Sequence, residues 1–389
     1  MTGSDICIRG WGAVTPLGWS AQESAQNLIA GRVPAAAVCT APQLINREFK
    51  AFEVHYDGNP LDKSRQMIEM ALDDAIDRAG LSAAEIAESG LLVGTTGGLF
   101  IRNEYEFTEA VKNNPGLESP AIACRNRGPG EVADMIARHY GIGGLAMTFS
   151  MACVSSSHAL VIAAKLLEQK KIKRAIIVGF EPLLNLTLHG FASLLLYDHE
   201  QCRPFCLLRS GMQIGEGAAA VILERGESNR AFRAKYRFAG GYLFNDTGSL
   251  TSAGVDGELV KSVIGHTLKK ADVPAAEIVA VKAHGTGTRD NDLSEGRGMV
   301  KVFGEKLPPV VSLKGAIGHS LGSAGAIETA VWLSCCEEGF IPRSFGFTQI
   351  DPEIGFAPSQ VNTTATPGAY LFTFFGFGGT CTSYIIIKE

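Results

Sequence analysis

Residues 150–159 read SMACVSSSHA, placing Cys153 between the apolar run GLAMTFS and the longer stretch SSSHALVIAAKLLEQKK. The first run reads as a strand and the second as a largely apolar helix. A thiol is therefore expected where a strand gives way to a helix. The unpaired N–H groups and dipole of a helix N-terminus favour a thiolate. Ser155, Ser156 and Ser157 are small enough to crowd against a neighbouring helix or a ligand. Position alone fits a buried structural cysteine equally well, so other residues must decide.

Working outward, strand-like runs alternate with helix-like ones. Ile6 to Val14 reads as a strand. Gln66 to Ala79 reads as a helix, with Met67, Ile68, Ala71, Leu72 and Ile76 on one face. SGLLVGTTGG, RAIIVGFE and GEGAAAVILE read as strands. The second part of the chain repeats the style. ELVKSVIGHTLKKA is a helix, IVAVKAHG a strand, AGAIETAVWLSCCEEG a helix apolar on most sides, and AYLFTFFGFGG and TSYIIIKE strands. Helices this apolar belong between layers. The pattern predicts an α/β protein with buried parallel and mixed sheets covered by helices. The polar stretch RGESNRAFR, residues 225–233, marks the expected boundary between halves 1–228 and 229–389.

The chain has 389 residues, 46% of them apolar, which is ample for a large core. A net charge of −5 argues against a general nucleic-acid binder. Its nine cysteines are irregularly spaced without a CxxC pair, so neither a zinc site nor a disulfide framework is expected. That usage fits a reducing cytoplasm. The opening MTGSDICIRG does not read as a signal peptide, and no membrane span is expected. Lys170, Lys171, Lys173 and Arg174 read as a solvated helix end.

Three further stretches carry chemistry. AHGTGTRDNDLSE sets His284 after an apolar strand, with Thr286 and Thr288 presenting hydroxyls from a glycine-freed loop. SLKGAIGHSLGSAGAIE holds Lys314, His319 and Glu328. Charges beside such apolar sequence are costly unless paired or functional. FFGFGGTC is a glycine-rich turn between two strong strands, where a backbone N–H can approach a ligand.

Taken in this order, these stretches closely resemble one family, the β-ketoacyl-acyl-carrier-protein synthases, condensing enzymes of the thiolase superfamily. The opening IRGWGAVTPLG and the segment CRPFCLLRSGMQIGEGAAA share in the resemblance, which spans nearly the full chain. It implies a thiolase-like, five-layered α-β-α-β-α fold built from two duplicated halves. It also implies a decarboxylative Claisen condensation between a Cys-bound acyl chain and malonyl-carrier protein, in fatty-acid or polyketide and polyene synthesis. The catalytic set falls on Cys153, His284, His319 and Lys314. The resemblance gives Glu328 the task of pairing with Lys314 to hold His319. Phe377 would supply an oxyanion N–H, with that of Cys153, and act as a gate. Thr286 and Thr288 would meet the pantetheine arm, and Phe191, Phe375 and Thr96 would line the acyl pocket. Lys63 and Arg65 would dock the carrier protein. No metal or resident cofactor is implied, since phosphopantetheine arrives on the carrier. The expected partners are acyl carrier protein and a second subunit, identical or a related ketosynthase-like chain.

The chain departs from the family pattern in places. It has Cys206 and Ser210 where aspartates are usual, Met151 before Ala152-Cys153, and Thr373, Phe374 and Cys381 around the final glycine turn. These point to a divergent branch. Two rival readings remain. One is a non-catalytic chain-length partner, which usually lacks the nucleophile. The other is a thiolase, which would need a second catalytic cysteine such as Cys381.

Overall fold

The structure, a computed structural model, describes residues 6–39, 48–113, 128–226, 234–246 and 254–389. Most of the expected boundary, residues 227–233, lies outside them.

Among the described residues, ten strands form one sheet. They are β1 (Ile6–Val14), β2 (Gly90–Gly94), β3 (Ala146–Phe149), β4 (Arg174–Glu181), β5 (Gly217–Arg225), β6 (Tyr236–Asn245), β7 (Ile278–Lys282), β8 (Val310–Val311), β9 (Gly368–Gly376) and β10 (Thr380–Lys388). Their order across the sheet is β8-β7-β9-β10-β6-β1-β5-β4-β2-β3. The order is a duplication written in hydrogen bonds. In the first half, β1 and β4 flank β5 antiparallel, and β2 pairs parallel with β4 and β3. In the second, β6 and β9 flank β10 antiparallel, and β7 pairs parallel with β9 and β8. The halves meet where Cys7 of β1 lies opposite Arg237 of β6.

The helices repeat the scheme: α1 (Pro60–Ala79), α2 (Gly130–Tyr140) and α3 (Ser155–Glu168) in the first half, then α4 (Glu258–Ala271), α5 (Arg289–Phe303) and α6 (Ala324–Glu337) in the second. Three large apolar clusters join the five layers, the middle one spanning both faces of the central helices. α1 and α2 pack Met67, Leu72 and Ile136 on the outer face of the first half-sheet, against Val93, Val178 and Ala220. α3 and α6 lie in the middle, where Leu160, Leu167, Ile327 and Trp332 meet Ile8, Val221, Phe372 and Tyr384. α4 and α5 cover the far side with Val260, Ile264 and Met299 against Val281, Leu371 and Ile385. α6 is apolar on all sides because both of its faces are buried.

Most expected elements are present, with shifts at the ends. α1 begins at Pro60 rather than Gln66, because Asn59 caps Leu61 N–H and proline suits the first helical position. Arg174 is not part of a solvated end. It opens β4, buried and paired with Glu85 and Glu224. Among the described residues no helix is long and apolar enough to cross a membrane.

Candidate active site

The duplication brings four turns together. The β3–α3 turn carries Cys153, and its counterpart before α6 carries His319. The turn after β7 carries His284, and its counterpart after β2 carries Thr96. Cys153, His284, His319, Thr286, Thr288, Phe375 and Phe377 all line one cavity of about 290 Å³.

Cys153 follows a strained residue at the helix entry: Ala152, just before it, sits at φ 48°, a region costly for a residue with a Cβ. The backbone N–H groups of Phe377 and of Cys153 itself lie beside the sulfur and favour its charged form. Gly376 allows that approach, since a Cβ there would meet Thr380 Oγ1 at 2.7 Å and Cys153 N at 3.4 Å. The expected lowering of the thiol pKa is not found in this resting state. Burial pushes it up to about 12, against the pull of Lys314 and of the two N–H groups.

The two imidazoles stand edge to face, ring centroids 5.2 Å apart. Burial, followed by the charge of Lys314, keeps both well below the usual histidine range, so both are neutral. His319 Nδ1 accepts from the Leu321 N–H at 3.3 Å, which leaves Nε2 as the protonated nitrogen. That Nε2 and His284 Nδ1 are buried without a partner. Buried polar atoms are normally paired, so two orphans in one cavity point to a ligand.

Lys314 is fully buried and donates to Glu328 Oε1 at 2.6 Å and to the His284 carbonyl at 2.8 Å. It therefore holds the His284 loop rather than His319, which was the expectation. His319 is fixed instead by its backbone N–H on the Gln213 carbonyl. Two buried acids on α5 shape the His284 loop. Glu295 accepts from the N–H groups of His284 and Gly285, each at 2.7 Å, and Asp292 accepts from that of Thr286 at 2.9 Å. Thr286 and Thr288 share a hydroxyl contact of 2.8 Å.

The pocket residues divide. Phe375 stands edge-on to His284, centroids 6.2 Å apart, and Phe191 packs on Phe377 at 5.6 Å. Phe191, Leu188, Ala192, Met212 and Ile214 join Cys153 in one apolar cluster. Thr96 is not on the cavity wall. Its N–H and hydroxyl are tied to Glu181, as are the N–H groups of Gly97 and Gly322. Cys381, the thiolase candidate, does not line the cavity either. Lys63, expected to dock the carrier protein, is not presented at the surface. It is buried and paired with Glu216 at 2.6 Å and Glu53 at 2.9 Å, which hold its pKa above the ordinary lysine value although burial alone lowers it. Arg65 is exposed and paired with Glu69.

Sequence reasoning missed Glu181, Asp292, Glu295 and Lys282. Lys282 is fully buried and donates to Glu328 Oε2. A charge ending the apolar strand IVAVK was the available signal.

Comparisons with known proteins agree with this geometry. Residues 3–229 match the β-ketoacyl synthase N-terminal domain, and residues 238–348 match the β-ketoacyl synthase C-terminal domain. The chain is 27% identical to a putative mitochondrial 3-oxoacyl-[acyl-carrier-protein] synthase of Schizosaccharomyces pombe, over 98% of this chain and 99% of that one. A solved β-ketoacyl synthase from Burkholderia phymatum superposes with a TM-score of 0.84 at 25% identity, covering 99% of this chain and 100% of that one. A chain of the Xenorhabdus doucetiae ketosynthase–chain length factor complex superposes equally well, also at 25% identity, covering 99% and 98%. Together, the matched domains, the duplicated fold and the cysteine–histidine–histidine cavity place this chain in the β-ketoacyl synthase family.

Proposed function

We propose that Cys153 carries the growing acyl chain and that His284 and His319 drive decarboxylation of malonyl-carrier protein. The supporting observation is the cavity itself, where one sulfur, two N–H groups beside it and two orphan imidazole nitrogens converge.

Acyl transfer starts from a thiol, not a thiolate, because burial holds the proton on. His284 takes that proton on Nδ1, since His319 Nδ1 is already an acceptor. The sulfur attacks the carrier thioester, the N–H groups of Cys153 and Phe377 hold the oxyanion, and the carrier thiol leaves with a proton. Malonyl-carrier protein then enters. Its carboxylate departs as CO2, and the electron pair moves onto the thioester oxygen, held by imidazole N–H donors from His319 Nε2 and His284. The carbanion attacks acyl-Cys153, and collapse of the adduct releases a β-ketoacyl product two carbons longer and expels the sulfur as a thiolate, which takes a proton from solvent to restore the resting thiol. Thr286 and Thr288 receive the pantetheine arm, and no cofactor resident on this chain enters any step.

The partners follow from the same reading. The carrier protein delivers both thioesters, with Arg65 at its docking edge. A second subunit, identical or related, pairs with the edge of β3, which no described strand covers and where Leu145 is 42% and Met147 38% exposed. The other end of the sheet, β8, is buried. A reducing cytoplasm suits the reactive thiol.

The test is release of labelled CO2 from malonyl-carrier protein together with formation of the elongated β-ketoacyl product. His319→Ala should still accept an acyl group on Cys153 yet lose decarboxylation by roughly 100-fold or more, as expected for removal of an oxyanion donor. A wild-type chain that takes no acyl group from any donor would favour the chain-length partner.

A further inference from the structure

The condensing site contains a second buried lysine that the steps above do not use. Lys282 ends β7 two residues before His284 and is fully buried. Its ammonium donates to Glu328 Oε2, the oxygen that Lys314 leaves free, and to the Thr373 carbonyl at 3.3 Å. It also lies 3.4 Å above the centre of the Phe374 ring, an additional stabilisation for a desolvated cation. Thr373 and Phe374 are two of the positions where the chain departs from the family pattern. The Thr373 hydroxyl donates to Glu295, the acid that holds the His284 and Gly285 N–H groups. Of the two departures, Phe374 thus meets the ammonium through its ring, and Thr373 reaches the same cluster through its hydroxyl on Glu295.

The charges around it come from every neighbouring element: Glu328 from α6, Glu295 from α5, Lys314 ahead of α6, and His284 and His319 in the cavity, with the Tyr384 hydroxyl on β10 beside Thr329. Lys282 and Lys314 balance Glu328 and Glu295. Without Lys282, both oxygens of Glu328 would face Lys314 alone and the cluster would carry an unmatched negative charge. Such a charge is expensive in a dry interior.

We propose that Lys282 is a positioning residue of the condensing site: it occupies half of Glu328, so that the charge of Lys314 remains effective toward Cys153 and both imidazoles stay neutral. Burial pushes the Lys282 ammonium down to about 8, so it still carries its charge at neutral pH, and its field acts on both histidines in the direction required. The proposal rests on the reading of Cys153 as the nucleophile.

The experiment follows the pH dependence of two rates in wild type, Lys282→Arg, Lys282→Met and the double variant Lys282→Met/Glu328→Gln. The first rate is iodoacetamide alkylation of the Cys153 peptide, followed by mass spectrometry. The second is CO2 release from malonyl-carrier protein. Lys282→Met should alkylate roughly ten-fold more slowly at fixed pH, a shift of about one pH unit. The acid limb of CO2 release should move up as well, because removing a cation eases protonation of the imidazoles. Lys282→Arg should keep both profiles. The double variant, with the charges balanced again, should recover the wild-type acid limb. Unshifted profiles in a folded Lys282→Met, or an equal shift in Lys282→Arg, overturn the proposal. Should Lys282→Met fail to fold, the double variant decides, and its failure to fold or to keep the wild-type limb overturns it too. Loss of wild-type acylation would instead refute the reading of Cys153.

Discussion

At the scale of the residue, the site is governed by burial. Cys153 sits at a helix entry, but it is buried and the thiol keeps its proton. Alkylation of the Cys153 peptide should therefore rise about ten-fold per pH unit from pH 7 to 10 without a plateau, since the thiolate fraction keeps growing until the pH reaches the raised pKa. A plateau near pH 8 would mean that the helix terminus outweighs burial. The residues legible in the sequence were those with a local signature. Cys153, His284 and His319 each sit in a glycine- or serine-rich turn beside an apolar element. Lys282 was not legible, because its meaning lies in Glu328, 46 residues away on another layer. The burial of Lys63 was not legible for the same reason: its partner Glu216 is 153 residues distant.

At the scale of the element, the turns are built by acids that hold backbone N–H groups. Glu181 ends β4 and gathers Thr96, Gly97 and Gly322, tying the turn after β2 to the turn that bears His319. Burial raises its pKa to about 7, with those donors pulling the other way. The folded state thus binds a proton that the unfolded chain releases above about pH 4.5. Stability from this group is full below that pH and is lost as pH rises to about 7. The loss amounts to about 3 kcal/mol. Denaturant titrations at pH 4.5, 5.5 and 7 should show this slope in wild type relative to Glu181→Gln, and parallel curves would refute it. Gly287 supports the threonine loop at φ 77°, where a Cβ would meet the Gly211 carbonyl at 2.7 Å. Gly287→Ala should cost about 1–3 kcal/mol by thermal melting and slow acyl transfer, and an unchanged melt would show that the loop yields. Strands and helices were mostly legible from apolar pattern. Turn acids such as Glu181 were not, because nothing in RAIIVGFE says which distant amides its carboxylate will meet.

At the scale of the whole molecule, the repeated strand order explains why the site spans both halves. A β–α turn points to the same place in each unit, so the nucleophile of one half faces the histidines of the other. This duplication was readable only as a repeated style of element, since the two halves share no strict repeat in residue identity. The sheet ends in contrasting edges, with β3 exposed and β8 buried. Native mass spectrometry should find two chains in the assembly, and Met147→Lys should shift it toward single chains. A wild-type monomer that still condenses would refute pairing through β3.

The most direct measurement is intact-protein mass spectrometry after mixing with acyl-carrier protein and then with malonyl-carrier protein, alongside Cys153→Ala. The account predicts an acyl adduct on wild type that is discharged into a β-ketoacyl product, and no adduct on the variant. An unmodified wild-type mass with every acyl donor, or an adduct that persists in Cys153→Ala, would contradict it.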